Sequence, residues 1–188
     1  MPRPYALTVI NQQVIGTALA NSTTRTNLLP TNARYILAPN WDISFGTQMH
    51  IRAGGRISNI VTAPGTLTLD IGFGSVVVFN MGAMALNIVA KTDVTWDLDL
   101  ILKCSVFATG VNSKMYGRGK WTSESVIGSP LVSVGGSGVF NLPVTSPTDG
   151  TSFDNSLTTN DVGLYATWQT ANSGNSIRCD DFRLTLEN

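Results

Sequence analysis

Charge is scarce in this chain: of 188 residues only 13% are Asp, Glu, Lys or Arg, about half the ~25% usual in globular domains. Neither sign is in surplus, since twelve Lys and Arg balance twelve Asp and Glu. Neutralising a phosphate backbone needs an excess of cations, so no nucleic-acid partner is expected. One histidine, His50, and two cysteines, Cys104 and Cys179, are too few and too scattered for a zinc site. No metal and no cofactor are expected. No stretch approaches the ~20 apolar residues of a membrane-spanning helix, so no membrane partner is expected either. Asn11, Gln12 and Gln13 cut the first apolar run too short for an export signal. The 3.6-residue apolar period of helices is almost missing, which excludes a helical bundle.

What remains is a polar, turn-rich composition with a real core. Ser, Thr and Asn make up roughly a quarter of the chain, Gly occupies 18 positions, and 43% of residues are hydrophobic, with four Trp among them. A chain of this size buries roughly 70% of its unfolded surface and can hold one domain without staples.

Alternation with period two dominates. Trp96, Leu98, Leu100, Leu102, Cys104 and Val106 share one face of a long strand, and Asp97, Asp99, Ile101, Lys103, Ser105 and Phe107 the other. Further strands are expected at Met49–Ile57, Thr66–Ile71, Ser75–Phe79, Lys114–Ser123, Leu131–Val134, Val139–Leu142 and Val162–Thr170. Ala53-Gly54-Gly55 predicts a bulge or bend within Met49–Ile57. In the last strand Ile177 and Cys179 are out of phase with Phe182, Leu184 and Leu186, so an extra residue is expected around Asp180-Asp181. Thr26–Arg34 is the one helical candidate, and Pro30 limits it to a turn or 3₁₀ piece. The two cysteines read as buried thiols within apolar alternations; a disulfide would require their Cα atoms within about 7 Å. The fold class expected is all-β: a single-domain sandwich or jelly roll over residues 26–188, preceded by an extended arm over residues 1–25.

Catalytic signals are thin. His50 stands in a strand with no motif beside it, and Gly135-Gly136-Ser137-Gly138 lacks the spacing of a nucleophile elbow. Asp97 and Asp99 share a strand face about 7 Å apart, but glycosidase carboxylates normally come from different strands. Asp180 and Asp181 point oppositely unless a bulge turns them. Lys114, Tyr116, Arg118, Lys120 and Trp121 form a basic-aromatic strip without the net charge to use it on nucleic acid. No catalytic residue is assigned, and the chain is expected not to be an enzyme.

Several segments carry a resemblance. Ile51-Arg52-Ala53-Gly54-Gly55-Arg56-Ile57-Ser58, Pro64-Gly65-Thr66-Leu67-Thr68-Leu69-Asp70-Ile71-Gly72-Phe73-Gly74, Thr95-Trp96-Asp97-Leu98-Asp99-Leu100, Gly117-Arg118-Gly119-Lys120-Trp121-Thr122-Ser123-Glu124 and Gly174-Asn175-Ser176-Ile177, leading into Phe182–Asn188, stand in order over most of residues 22–188. This pattern is similar to jelly-roll structural proteins of tailed bacteriophages, found among capsid-decoration and tail-associated components. The resemblance implies a virion component that assembles as a homotrimer, without fixing which part of the virion. The preferred reading is a capsid decoration or cement protein on the capsid surface, made in the host cytoplasm. The alternative is a tail- or fibre-associated adhesin that binds a receptor or a glycan. The partners implied are the major capsid protein or other virion proteins.

Contact residues follow from charge and exposure. Residues 1–60 carry a net +4 and residues 149–188 a net −4, which suits docking between unlike surfaces. Arg3, Tyr5, Leu7 and Arg25 of the arm are expected to touch the capsid or a neighbouring copy. Ile101 and Phe107, apolar on an otherwise polar strand face, are expected at a subunit interface.

Overall fold

The structure, a computed structural model, describes residues 6–11, 15–39, 48–60, 64–108, 110–126, 138–145 and 149–187. In chain order the strands are β1 (Ala6–Asn11), β2 (Leu19–Ala20), β3 (Thr26–Asn27), β4 (Tyr35–Ile36), β5 (Gln48–Asn59), β6 (Thr66–Phe73), β7 (Val76–Ala85), β8 (Lys91–Val106), β9 (Lys114–Ser123), β10 (Val139–Leu142), β11 (Asp161–Trp168) and β12 (Ser176–Glu187). Among the described residues the only helical piece is a 3₁₀ turn at Thr31–Ala33, directly after Pro30. The fold is all-β, as the alternation predicts.

Two antiparallel sheets face each other. The larger runs β1-β12-β5-β8-β9-β10 with β2 also on β12; the smaller runs β3-β11-β6-β7 with β4 also on β11. Each strand turns one set of alternate residues into the space between the sheets. Met49 and Ile51 of β5, Trp96, Leu98, Leu100 and Leu102 of β8, and Phe182 and Leu184 of β12 come from one side. Leu67, Leu69 and Ile71 of β6 and Leu164, Ala166 and Trp168 of β11 come from the other. Trp96 lies on the core face, as its phase requires. Its ring stacks on Trp121 at 4.6 Å between centroids and 21° between planes.

The extra residue of the last strand stands where the phase change puts it: the β12–β5 register shifts between Cys179 and Asp181. The interruption expected within Met49–Ile57 is absent, because β5 runs unbroken from Gln48 to Asn59. The bulge belongs to the partner strand, and Gly54-Gly55 makes room for it. A Cβ at Gly55 would collide with the Arg178 carbonyl oxygen, whereas at Gly54 it would meet only Asp97 Oδ1 and the Trp96 carbonyl at 3.3 Å. Gly55→Ala is therefore expected to cost about 1–3 kcal/mol or more, as overpacking does, and Gly54→Ala clearly less. Urea melts of the two variants check this, and equal losses would contradict the bulge geometry.

The segment expected as an arm pairs with the body. Its β1 and β2 hydrogen-bond to β12, and Gly16 N–H donates to the Cys179 carbonyl at 2.8 Å. The reason is the row of free backbone donors and acceptors that β12 would otherwise leave at the sheet edge. Leu7 stands in register with Leu186; Arg3 and Tyr5 lie outside the described residues, as does the strand expected at Leu131–Val134.

Cys104 and Cys179 are buried thiols not joined in a disulfide. Burial chiefly, with Asp180 nearby, pushes the Cys179 pKa up to about 12. The folded chain therefore keeps a proton that the unfolded chain releases above pH ~9, so stability falls as pH rises from 9 toward 12. Iodoacetamide at pH 8 is expected to label neither cysteine in the native chain and both in urea. Rapid native labelling would contradict the burial.

Candidate functional site

The outward face of the larger sheet carries most of the charge the chain possesses. Register lays the side chains out in rows across the strands. One row reads Arg183–Arg52–Asp99–Lys120–Asn141 and the next Asp181–Gly54–Asp97–Thr122–Val139. Flanking rows bring together Thr185, His50, Ile101 and Arg118 on one side and Arg178, Arg56 and Thr95 on the other.

These charges pair across strands. Asp99 accepts from His50 Nε2 at 2.9 Å and lies 3.3 Å from Arg52 Nε, while His50 Nδ1 lies 3.4 Å from Glu187. Arg178 Nε donates to Asp180 at 2.8 Å, and Arg56 lies 3.9 Å from Asp180 and 3.7 Å from Asp93. Singly such exposed pairs are worth about 0–1 kcal/mol. Together they hold long side chains of both signs in a fixed pattern, which is what a specific docking face needs.

At the centre of this face lies a groove of about 700 Å³. Gly54 and Gly55 form its floor; Arg52, Arg56, Asp97, Asp99, Lys120, Asp180 and Asp181 rise around it. The bulge matters here, because it turns the adjacent Asp180 and Asp181 into the same groove. Trp96 ties the floor to the core: its indole N–H donates to the Arg178 carbonyl at 3.1 Å. Among the described residues no group of three or more His, Cys, Asp or Glu side chains could hold a metal ion.

The residues singled out from sequence are dispersed. Ile101 is half-buried on the outward face between His50 and Arg118, whereas Phe107 is exposed just beyond the end of β8. Arg25 is engaged inside its own chain. Its Nη2 donates to Asp70 Oδ1 at 2.6 Å, and its guanidinium lies 3.6 Å over the Tyr165 ring. Burial opposes that charge, but Asp70 and Tyr165 outweigh it and raise the Arg25 pKa. Of the basic-aromatic strip, Lys114, Tyr116, Arg118 and Lys120 share the outward phase of β9, whereas Trp121 is fully buried on the other. Sequence reading missed the groove itself. The paired glycines in mid-strand, opposite a phase change, were its signal.

No family model matches the chain, and no curated protein does. Among solved structures it is similar to the CBM2 module of the evolved Dit of Lactobacillus casei BL23 phage J-1, at 12% identity and a TM-score of 0.36, over 99% of this chain and 98% of that one. At that TM-score and identity the likeness says nothing of what this chain binds.

Proposed function

We propose that this chain is a non-enzymatic structural component of a tailed-phage virion, a capsid decoration protein that docks through the outward face of its larger sheet. The observation that carries the reading is that face: rows of charges of both signs, cross-linked by ion pairs, on a sheet backed by a buried hydrophobic core. A protein that reinforces a lattice needs rigidity and many modest polar contacts rather than turnover. The resemblance of the ordered strand and turn segments to jelly-roll virion proteins supports the virion role. Trimerisation, with Ile101 and Phe107 at the contact between copies, belongs to this proposal.

Quantitative mass spectrometry of purified particles tests it. A decoration protein is expected in hundreds of copies that stay with heads when tails are removed. A few copies that follow the tails would overturn the decoration reading, and absence from the particle would overturn the virion reading altogether.

A further inference from the structure

We infer that the protein docked on the outward face presents a row of carboxylates to the basic strip along β8 and β9, which orients it. The inference rests on the docking reading above and names the chemistry of the partner surface. It begins with the charges on this face that are already answered. Asp99 is held by His50 and Arg52, Glu187 by Gln48 and His50, and Asp180 by Arg178 and Arg56. Among the described residues no ion pair or side-chain hydrogen bond engages Lys103, Lys114, Arg118 or Lys120, nor Asp97 or Asp181.

Register orders these unanswered charges. Outward residues of one strand follow each other at about 7 Å. Lys114, Arg118 and Lys120 succeed one another along β9, with Tyr116 as the one uncharged place, and Lys103 of β8 stands level with Tyr116. Together they form a ladder of four cations in steps of about 7 Å, roughly 20 Å long. Lys103, Arg118 and Lys120 are exposed, and Lys114 is half-buried. The free carboxylates stand past its end: Asp97 is one step beyond the Asp99–Lys120 level, and Asp181 is level with Asp97 two strands away.

That segregation selects the partner. Unanswered cations along the strip repel a basic surface and attract an acidic one. An extended segment with Asp or Glu at every second position repeats at the same ~7 Å, so each carboxylate meets one cation. Arg118 offers such a carboxylate two parallel N–H donors. A uniform polyanion, such as nucleic acid or a sulfated glycan, fits less well. Continued along the strip it runs into Asp97, and a chain of zero net charge gives it no general attraction. A protein surface of mixed sign lays acids over the ladder and bases beside Asp97 and Asp181, and it does so in one orientation.

Titration of the full chain onto purified heads prepared without it, at low and moderate salt, tests the inference. Lys103→Gln/Arg118→Gln is expected to weaken binding at least ~5-fold at unchanged melting temperature. Lys103→Glu/Arg118→Glu should weaken it further, and both should flatten its salt dependence. Ala83→Glu/Thr158→Glu changes exposed residues of β7 and of the loop before β11 and shifts net charge as much as the Gln pair. It is expected to bind as wild type. Undiminished binding by the strip variants, or an equal loss in this control, would overturn the inference while docking itself stands. Retention of the wild-type chain on heparin or a single-stranded oligonucleotide at physiological salt would overturn the choice of a protein partner. No occupancy by the wild-type chain would overturn the docking reading and this inference with it.

Discussion

Replacing Trp96 with alanine is expected to cost about 3–5 kcal/mol, the usual penalty for truncating a buried Trp. Three losses coincide there. The ring is 1% exposed between the sheets, so its removal leaves a cavity where β8 meets the smaller sheet. Stacking on Trp121 disappears, worth about 0.5–1.5 kcal/mol beyond the buried area. The Arg178 carbonyl loses the indole donor that satisfies it at the bulge. Such a sum approaches the whole stability of an ordinary domain, about 5–15 kcal/mol. Urea unfolding followed by far-UV circular dichroism measures it; a loss below about 1 kcal/mol would mean that the strand is inside out.

The second large effect lies on the opposite face of the molecule. Asp70 is only 3% exposed, and its charge is answered by Arg25 from the segment before β3. Arg25→Ala leaves that carboxylate buried without its cation. Breaking a buried pair costs about 3–5 kcal/mol. Because 27% of the Arg25 side chain reaches solvent, about 2–4 kcal/mol is expected once screening is allowed for. Loss of the guanidinium from the Tyr165 face adds to it. The combined variant Arg25→Ala/Asp70→Asn should recover part of the loss, since no orphaned charge remains. A double-mutant cycle with no coupling would show that the two residues do not stabilise each other.

Period-two alternation made the sheets legible in the sequence, because a half-buried strand must alternate wherever one face meets a core. Lys114–Ser123 and Val139–Leu142 match β9 and β10 end to end. The phase change before Phe182 located the bulge for the same reason. What alternation does not encode is partnership between distant strands. The glycines of β5 were therefore read as a break in their own strand, although they accommodate a bulge in β12. For the same reason Arg25 read as a free cation of an arm. Only the β11–β6 pairing, which sets Tyr165 opposite Asp70, and the β3–β11 pairing beside it make Arg25 an internal group. The groove was illegible on the same ground, since Asp97 and Asp181 are 84 positions apart in the sequence and meet only through β5.

The central claim is that the outward face of the larger sheet is the working surface. Carbodiimide cross-linking of intact particles tests it directly, because the reagent joins carboxylates to amines in contact. Links from Lys103, Lys120, Asp97 or Asp181 to a capsid protein are expected. Links to other virion proteins arising solely from the outward face of the smaller sheet, with these four residues unmodified by any partner, would contradict it.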